Sequence, residues 1–120
     1  MLEPIQNAPA NVLALRAVGK IEDGDYKSVL IPAVELQIKT FGKVRLVYEL
    51  GSEFEGFSAK AALDDALLGL DHWQDFERIA IVTDRTWIAD ALRLFLPLLP
   101  AKSKLFTTDH RQAALDWAGA

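Results

Sequence analysis

A chain of 120 residues, 51% hydrophobic and 25% charged, has the size and make-up of one globular domain that buries a core without disulfides or metal. It contains no cysteine, which excludes disulfides, thiol catalysis and thiolate metal sites. A net charge of −4 argues against a general nucleic-acid binder, because phosphate contacts need a basic face.

The opening MLEPIQNAPANV lacks the charged-then-apolar build of a signal peptide. No apolar run reaches the roughly 18–20 residues that span a bilayer. The expected location is therefore the cytoplasm, with peripheral attachment at the inner membrane face as a variant of it.

Glu3 to Gln6 reads as a short strand, and the Asn- and Pro-rich stretch from Asn7 to Asn11 as a turn. Val12 to Val18 is a second strand, closed by Gly19. So short a connection makes these two an antiparallel edge pair. Asp23 or Asp25 opens a long helix to about Phe41, with Tyr26, Val29, Leu30, Ala33, Val34, Ile38 and Phe41 on its buried side. Pro32 falls inside that pattern and should kink or split the helix, and Gly42 should cap its end.

Val44 to Leu50 alternates: Val44, Leu46, Tyr48 and Leu50 face one way, Arg45, Val47 and Glu49 the other. The polar members of the second set suggest a sheet face partly open to solvent or to a subunit. GSEFEG is a loop, and Phe57 to about Leu70 a helix continuing through Trp73. Arg78 to Thr83 is a β-branched strand. Asp84 should cap the helix that follows.

That helix, Trp87 to Leu99, carries more apolar surface than one core-facing stripe of about 100° needs. Trp87, Leu94 and Leu98 share one edge of the helical wheel, and Leu96 lies about 180° away. One edge can face the sheet; the other must be exposed or cover a ligand. Pro97 and Pro100 end the helix. Lys104 to Thr107 is a last strand, and Asp109 starts a terminal helix.

The order β-β-α-β-α-β-α-β-α implies an α/β domain spanning residues 1–120, with a mainly parallel sheet of four or five strands packed with helices. This order stands together with DY and LIPAVE in the first helix, FGKVRLVYEL, EGFSAKAALDD, LDHWQDFERIAIVTDRTW and the final LDW. In these residues the chain resembles the SpoIIAA-like family of small bacterial proteins, related in fold to STAS domains and more distantly to the Sec14 (CRAL-TRIO) lipid-transfer fold. The resemblance covers nearly the whole chain and implies a fold more than a function. STAS anti-sigma antagonists carry a phosphorylatable serine in an Asp-Ser-Gly-type motif after the third strand. Here the region reads GSEFEGFSAKA; Ser52 and Ser58 fall outside such a motif, and Ser58 reads as a helix N-cap.

Ligands of open α/β sheets bind outside the carboxyl ends of the strands. Lys20, Ser52, Glu53, Asp84, Thr108, Asp109 and His110 are expected there. Glu53, Asp84 and Asp109 could hold a divalent cation through oxygen. Capping of free backbone N–H groups accounts for Asp84 and Asp109 more simply, so no metal is expected. His72 has Asp75 close in sequence, but this is local spacing and not a catalytic triad. No P-loop, G-x-S-x-G, G-x-G-x-x-G or H-E-x-x-H pattern is present, and no cofactor or catalytic residue is expected.

The expectation is a non-enzymatic module that binds an apolar small molecule, a lipid or a membrane surface. The contact residues would be Phe57, Trp73, Trp87, Ile88, Leu92, Leu94, Phe95, Leu98 and Leu99. Lys102, Lys104 and Arg111 would either solvate the surface or meet anionic headgroups. The alternatives are a STAS-type protein-interaction module, including a homodimer, and a small enzyme of unrecognised type. Nucleic acid is not an expected partner.

Overall fold

Alternation of apolar side chains at period two builds the sheet, and helical stripes of apolar residues cover it. A computed structural model describes residues 1–72 and 74–120, with side-chain placement omitted for residues 66, 69 and 70. The strands are β1 (Leu2–Pro4), β2 (Leu13–Ala17), β3 (Gly19–Ile21), β4 (Val44–Leu50), β5 (Phe54–Phe57), β6 (Phe76–Thr83) and β7 (Lys102–Phe106). The helices are α1 (Asp23–Asp25), α2 (Ile31–Phe41), α3 (Ala59–Asp71), α4 (Thr86–Phe95) and α5 (Arg111–Gly119). A π-helical turn, Tyr26–Leu30, joins α1 to α2, and 3-10 turns follow α4 (Leu96–Leu98) and precede α5 (Thr108–His110).

Among the described residues, five strands form one sheet in the order β1-β2-β4-β6-β7. β1 is antiparallel to β2, as its short connection dictates, and the other pairs are parallel. Leu46 stands beside Ile79 and Tyr48 beside Ile81, so one face is continuously apolar. The helices α2, α3 and α4, with the π turn before α2 and the 3-10 turn after α4, cover that face through Leu30, Val34, Ala61, Leu68, Ile88 and Leu96.

The other face is not open, contrary to what the polar residues of β4 suggest. Helix α5 packs on it, burying Ala114, Leu115 and Ala118 against Val47, Ala80 and Val82. The terminal helix carries only a narrow stripe of small apolar residues, which suffices to close this side of the sheet.

Pro32 has the effect its chemistry requires. The helical run is continuous but not uniform: Ile31 N–H bonds back to the Tyr26 carbonyl as a π turn, and regular α-helix restarts with Pro32 in its first turn. Gly42, at φ 81°, ends α2 with its N–H on the Ile38 carbonyl. Phe41, expected on the buried side, is exposed at the last residue of α2.

GSEFEG is not a simple loop. Its second half is β5, which pairs in parallel with β3 as a small separate sheet. The glycines that read as breaks are what allow this: Gly19 sits at φ 68° beside a register shift, and Gly56 at φ 124°. Phe57 therefore ends a strand instead of starting a helix. Ser58 caps α3, its hydroxyl accepting the Ala61 N–H at 3.0 Å.

Candidate functional site

The surplus apolar surface of the fourth helix divides between two destinations. Ile88 and Leu96 point into the core, and Leu96 is 7% exposed. Leu94 and Leu98 point away from it, at 81% and 69% exposed. Between these edges, Trp87, Ala91, Leu92, Phe95 and Leu99 form one wall of a cavity of about 330 Å³. Its floor is the apolar sheet face, with Leu46, Tyr48 and Leu50 from β4 and Ile79 and Ile81 from β6. Leu30 and Val34 close it from the first helical run, Phe54 and Phe57 from β5, and Leu68 from α3.

Of the residues expected to contact an apolar ligand, Phe57, Trp87, Ile88, Leu92, Phe95 and Leu99 line this cavity, and Leu94 and Leu98 do not. Trp73 lies outside the described residues.

Arg85 fixes one end of the cavity. It precedes α4, and its backbone N–H donates to the Thr83 hydroxyl at 3.2 Å. Its guanidinium donates to the carbonyls of Gly51 and Phe54 and lies 5.4 Å from the centre of the Phe54 ring. The start of α4 and the β4–β5 connection are thereby tied to each other.

Among the described residues, the cavity has one polar pole. Tyr26, fully buried, donates its hydroxyl proton to Asp65 Oδ1 at 2.7 Å and lies 3.4 Å from the Tyr48 hydroxyl. Burial raises both tyrosine pKa values well above the phenolic range, and for Tyr26 the negative charge of Asp65 adds to this. Asp65 is an exposed residue of α3 whose carboxyl turns inward to this hydroxyl. Desolvation holds its pKa above the usual carboxylate range, and the Tyr26 hydrogen bond opposes that shift in part. No local spacing in the sequence connects this trio. The signal was Tyr48 on the apolar face of a clean strand, since a buried tyrosine hydroxyl must find a partner.

A second, polar cleft of about 130 Å³ lies at the carboxyl ends of the strands. Ser52, Glu53, Asp84 and Thr108 line it as expected, joined by Arg16, Glu49 and Arg111; Lys20, Asp109 and His110 are not among its walls. Asp84 does not cap the helix that follows it. It reaches across to the C-terminal segment, where its Oδ1 accepts the Thr108 N–H at 2.9 Å and its Oδ2 the Thr108 hydroxyl at 2.5 Å. These bonds hold its pKa below the usual carboxylate range. Asp109 does not take the N-cap either. It sits inside the 3-10 turn and accepts from the Thr107 hydroxyl at 2.5 Å.

Glu49, 2% exposed, is gripped by Arg111 through Nε at 2.5 Å and Nη2 at 2.9 Å. The charges of this cleft thus largely satisfy one another. Among the described residues, no three His, Asp or Glu side chains are grouped to hold a metal ion.

His72 Nδ1 lies 2.9 Å from Asp75 Oδ2, a local pair three residues apart that lines neither the cavity nor the cleft. The basic residues near the apolar helix do not flank it. Lys102 and Lys104 stand beside Arg78 and Ala80 on the α5 face of the sheet, where Lys104 covers the Phe106 ring, and Arg111 is committed to Glu49. No helix among the described residues is long and apolar enough to cross a membrane.

A five-stranded, mainly parallel sheet with this order of crossovers defines an α/β domain of the SpoIIAA type, and comparison with known proteins agrees. The SpoIIAA-like family model matches residues 12–119, and the chain belongs to that family. A crystal structure of an uncharacterized protein with a SpoIIAA-like fold from Shewanella loihica is similar, with a TM-score of 0.76 and 30% identity. The match covers 98% of this chain and 90% of that one. No curated protein matches. The family assignment supports a non-enzymatic regulatory module as the coarse reading of function.

Proposed function

We propose that this protein is a non-enzymatic binding module whose ligand is a small apolar molecule held between α4 and the sheet. The observation that carries this reading is the cavity of about 330 Å³, walled by aliphatic and aromatic side chains with one polar pole. Its size falls within the roughly 300–1,000 Å³ of small-molecule sites, and a mostly apolar wall with few polar groups is their usual build. An apolar ligand would remove from water the wall surface that α4 leaves uncovered, at about 25 cal/mol per Å² buried.

The turned-away lysines remove the electrostatic support that a membrane-surface reading requires, so the cavity is preferred to the headgroup region as the destination. The outward edge of Trp87, Leu94 and Leu98 supports a second reading, contact with a protein partner or a second copy.

The test uses N-phenyl-1-naphthylamine, a neutral apolar fluorophore that brightens in apolar surroundings. Wild type is expected to bind it saturably. Leu92→Trp, which fills the cavity, should lose that binding, whereas Leu94→Ser, on the outer edge, should keep it. Loss in Leu94→Ser with retention in Leu92→Trp would move the site to the surface and favour the partner reading.

A further inference from the structure

The polar pole of the cavity has a direction. Tyr26 owns one hydroxyl proton and gives it to Asp65 Oδ1 at 2.7 Å. The 3.4 Å contact between the two tyrosines must then be donated by Tyr48. Both hydroxyl protons therefore run toward Asp65, and the Tyr48 oxygen and the Asp65 carboxylate are left to face the cavity as acceptors. Asp65 makes no other side-chain hydrogen bond among the described residues. The described cavity wall contains no lysine, arginine or histidine. Such a pole offers lone pairs and negative charge and no proton.

We propose that the cavity selects amphiphiles whose polar end supplies a proton, namely alkyl alcohols and primary alkyl amines, and discriminates against alkyl carboxylates. The inference rests on the cavity being the ligand site. A hydroxyl or ammonium placed at the pole completes the chain Tyr48–Tyr26–Asp65 by donating to a free carboxylate or phenol lone pair. A ligand carboxylate there would set a second negative charge beside Asp65 in surroundings of low polarity. No cation of the described wall would offset that charge, and such like-charge contacts are heavily penalised. Desolvation raises the Asp65 pKa, and the hydrogen bond from Tyr26 opposes this by favouring the carboxylate that the pole requires.

The experiment is displacement of N-phenyl-1-naphthylamine by decanol, decylamine and decanoate at neutral pH, each below its micelle concentration. Chain length is constant, so differences report the head group. In wild type, decanol and decylamine should displace the probe at concentrations at least tenfold lower than decanoate. Asp65→Asn supplies amide protons and removes the charge. It should bring decanoate within about threefold of decanol and weaken decylamine about tenfold.

Equal potency of the three ligands in wild type, or decanoate the most potent, overturns the head-group inference even though the probe binds. An order unchanged in folded Asp65→Asn overturns the role of Asp65. Failure of the probe itself to bind wild type overturns the cavity reading, and with it this inference. The wild-type series stands alone should Asp65→Asn fold poorly.

Discussion

Replacing Arg111 by alanine should destabilise the protein far more than its position near the surface suggests. Arg111 is 41% exposed in its side chain, but Glu49, which it holds, is only 2% exposed. The substitution leaves a carboxylate packed between the sheet and α5 with two charge-assisted hydrogen bonds gone. Breaking a buried pair in this way costs about 3–5 kcal/mol. Water can enter the space that Arg111 vacates, so about 2–3 kcal/mol is expected, near the value of one or two bonds to a charged group.

The opposite substitution, Glu49→Gln, strands an arginine that solvent already reaches and should cost about 1 kcal/mol. A double replacement, Glu49→Leu with Arg111→Met, removes both charges and should lie nearer wild type than Arg111→Ala does. Urea unfolding at neutral pH measures all three. With a slope of about 1–3 kcal/mol per molar urea, Arg111→Ala should lower the midpoint by roughly 0.7–3 M. If Glu49→Gln costs more than Arg111→Ala, or if Arg111→Ala costs under about 0.5 kcal/mol, the carboxylate is not the stranded partner and the argument fails.

Three further outcomes follow from single contacts. Asp84→Ala should lower the melting temperature by freeing the Thr108 N–H, and Asp84→Asn should restore part of it. Because the folded pKa of Asp84 is depressed, its contribution is complete above the unfolded carboxylate pKa and is lost as pH falls through the folded one. The difference between wild type and Asp84→Ala should therefore vanish in acid; a constant difference across pH would contradict it. Asp23 and Asp64 interact as two carboxyls, and the interaction lowers the pKa of Asp23 and raises that of Asp64. The stability Asp64 contributes is present below its unfolded pKa and is lost as pH rises through the folded one. Asp64→Asn should remove this pH dependence from the melting curve, and an unchanged profile would show that the pair does not share a proton. Gly42→Ala, at φ 81° with open space around it, should cost about 1 kcal/mol from backbone conformation alone, while Gly24→Ala, in a helical turn with no neighbour within 4 Å, should be neutral or slightly stabilising. Equal effects at the two glycines by chemical denaturation would contradict the conformational explanation.

Features that depend on local chemistry were legible in the chain. The alternation of Val44–Leu50, the restart at Pro32, the Gly42 cap and the two apolar edges of α4 each follow from periodicity or from one residue's backbone limits. Features that depend on distant partners were not. Asp84 looks like the cap of the next helix, because nothing local reveals that Thr108 lies opposite it. β3 and β5 are short and glycine-bearing, and only their mutual pairing makes them strands. The sheet face that Glu49 makes look solvent-facing is closed, because Arg111 arrives from a segment 62 residues away. The same holds for the candidate site. Its apolar wall was visible as surplus surface on one helix, but its polar pole unites residues of the first helical run, β4 and α3 that no spacing rule connects.

The cavity itself can be interrogated by titrating methyl-labelled protein with decanol and following the Ile, Leu and Val methyl resonances. Binding between α4 and the sheet predicts saturable shifts at Leu46, Ile79, Ile81, Ile88 and Leu92, with Val12, Val47, Val82 and Leu115 on the α5 face unmoved. Shifts confined to Leu94 and Leu98, or no saturable shift at the five cavity residues, would contradict the account.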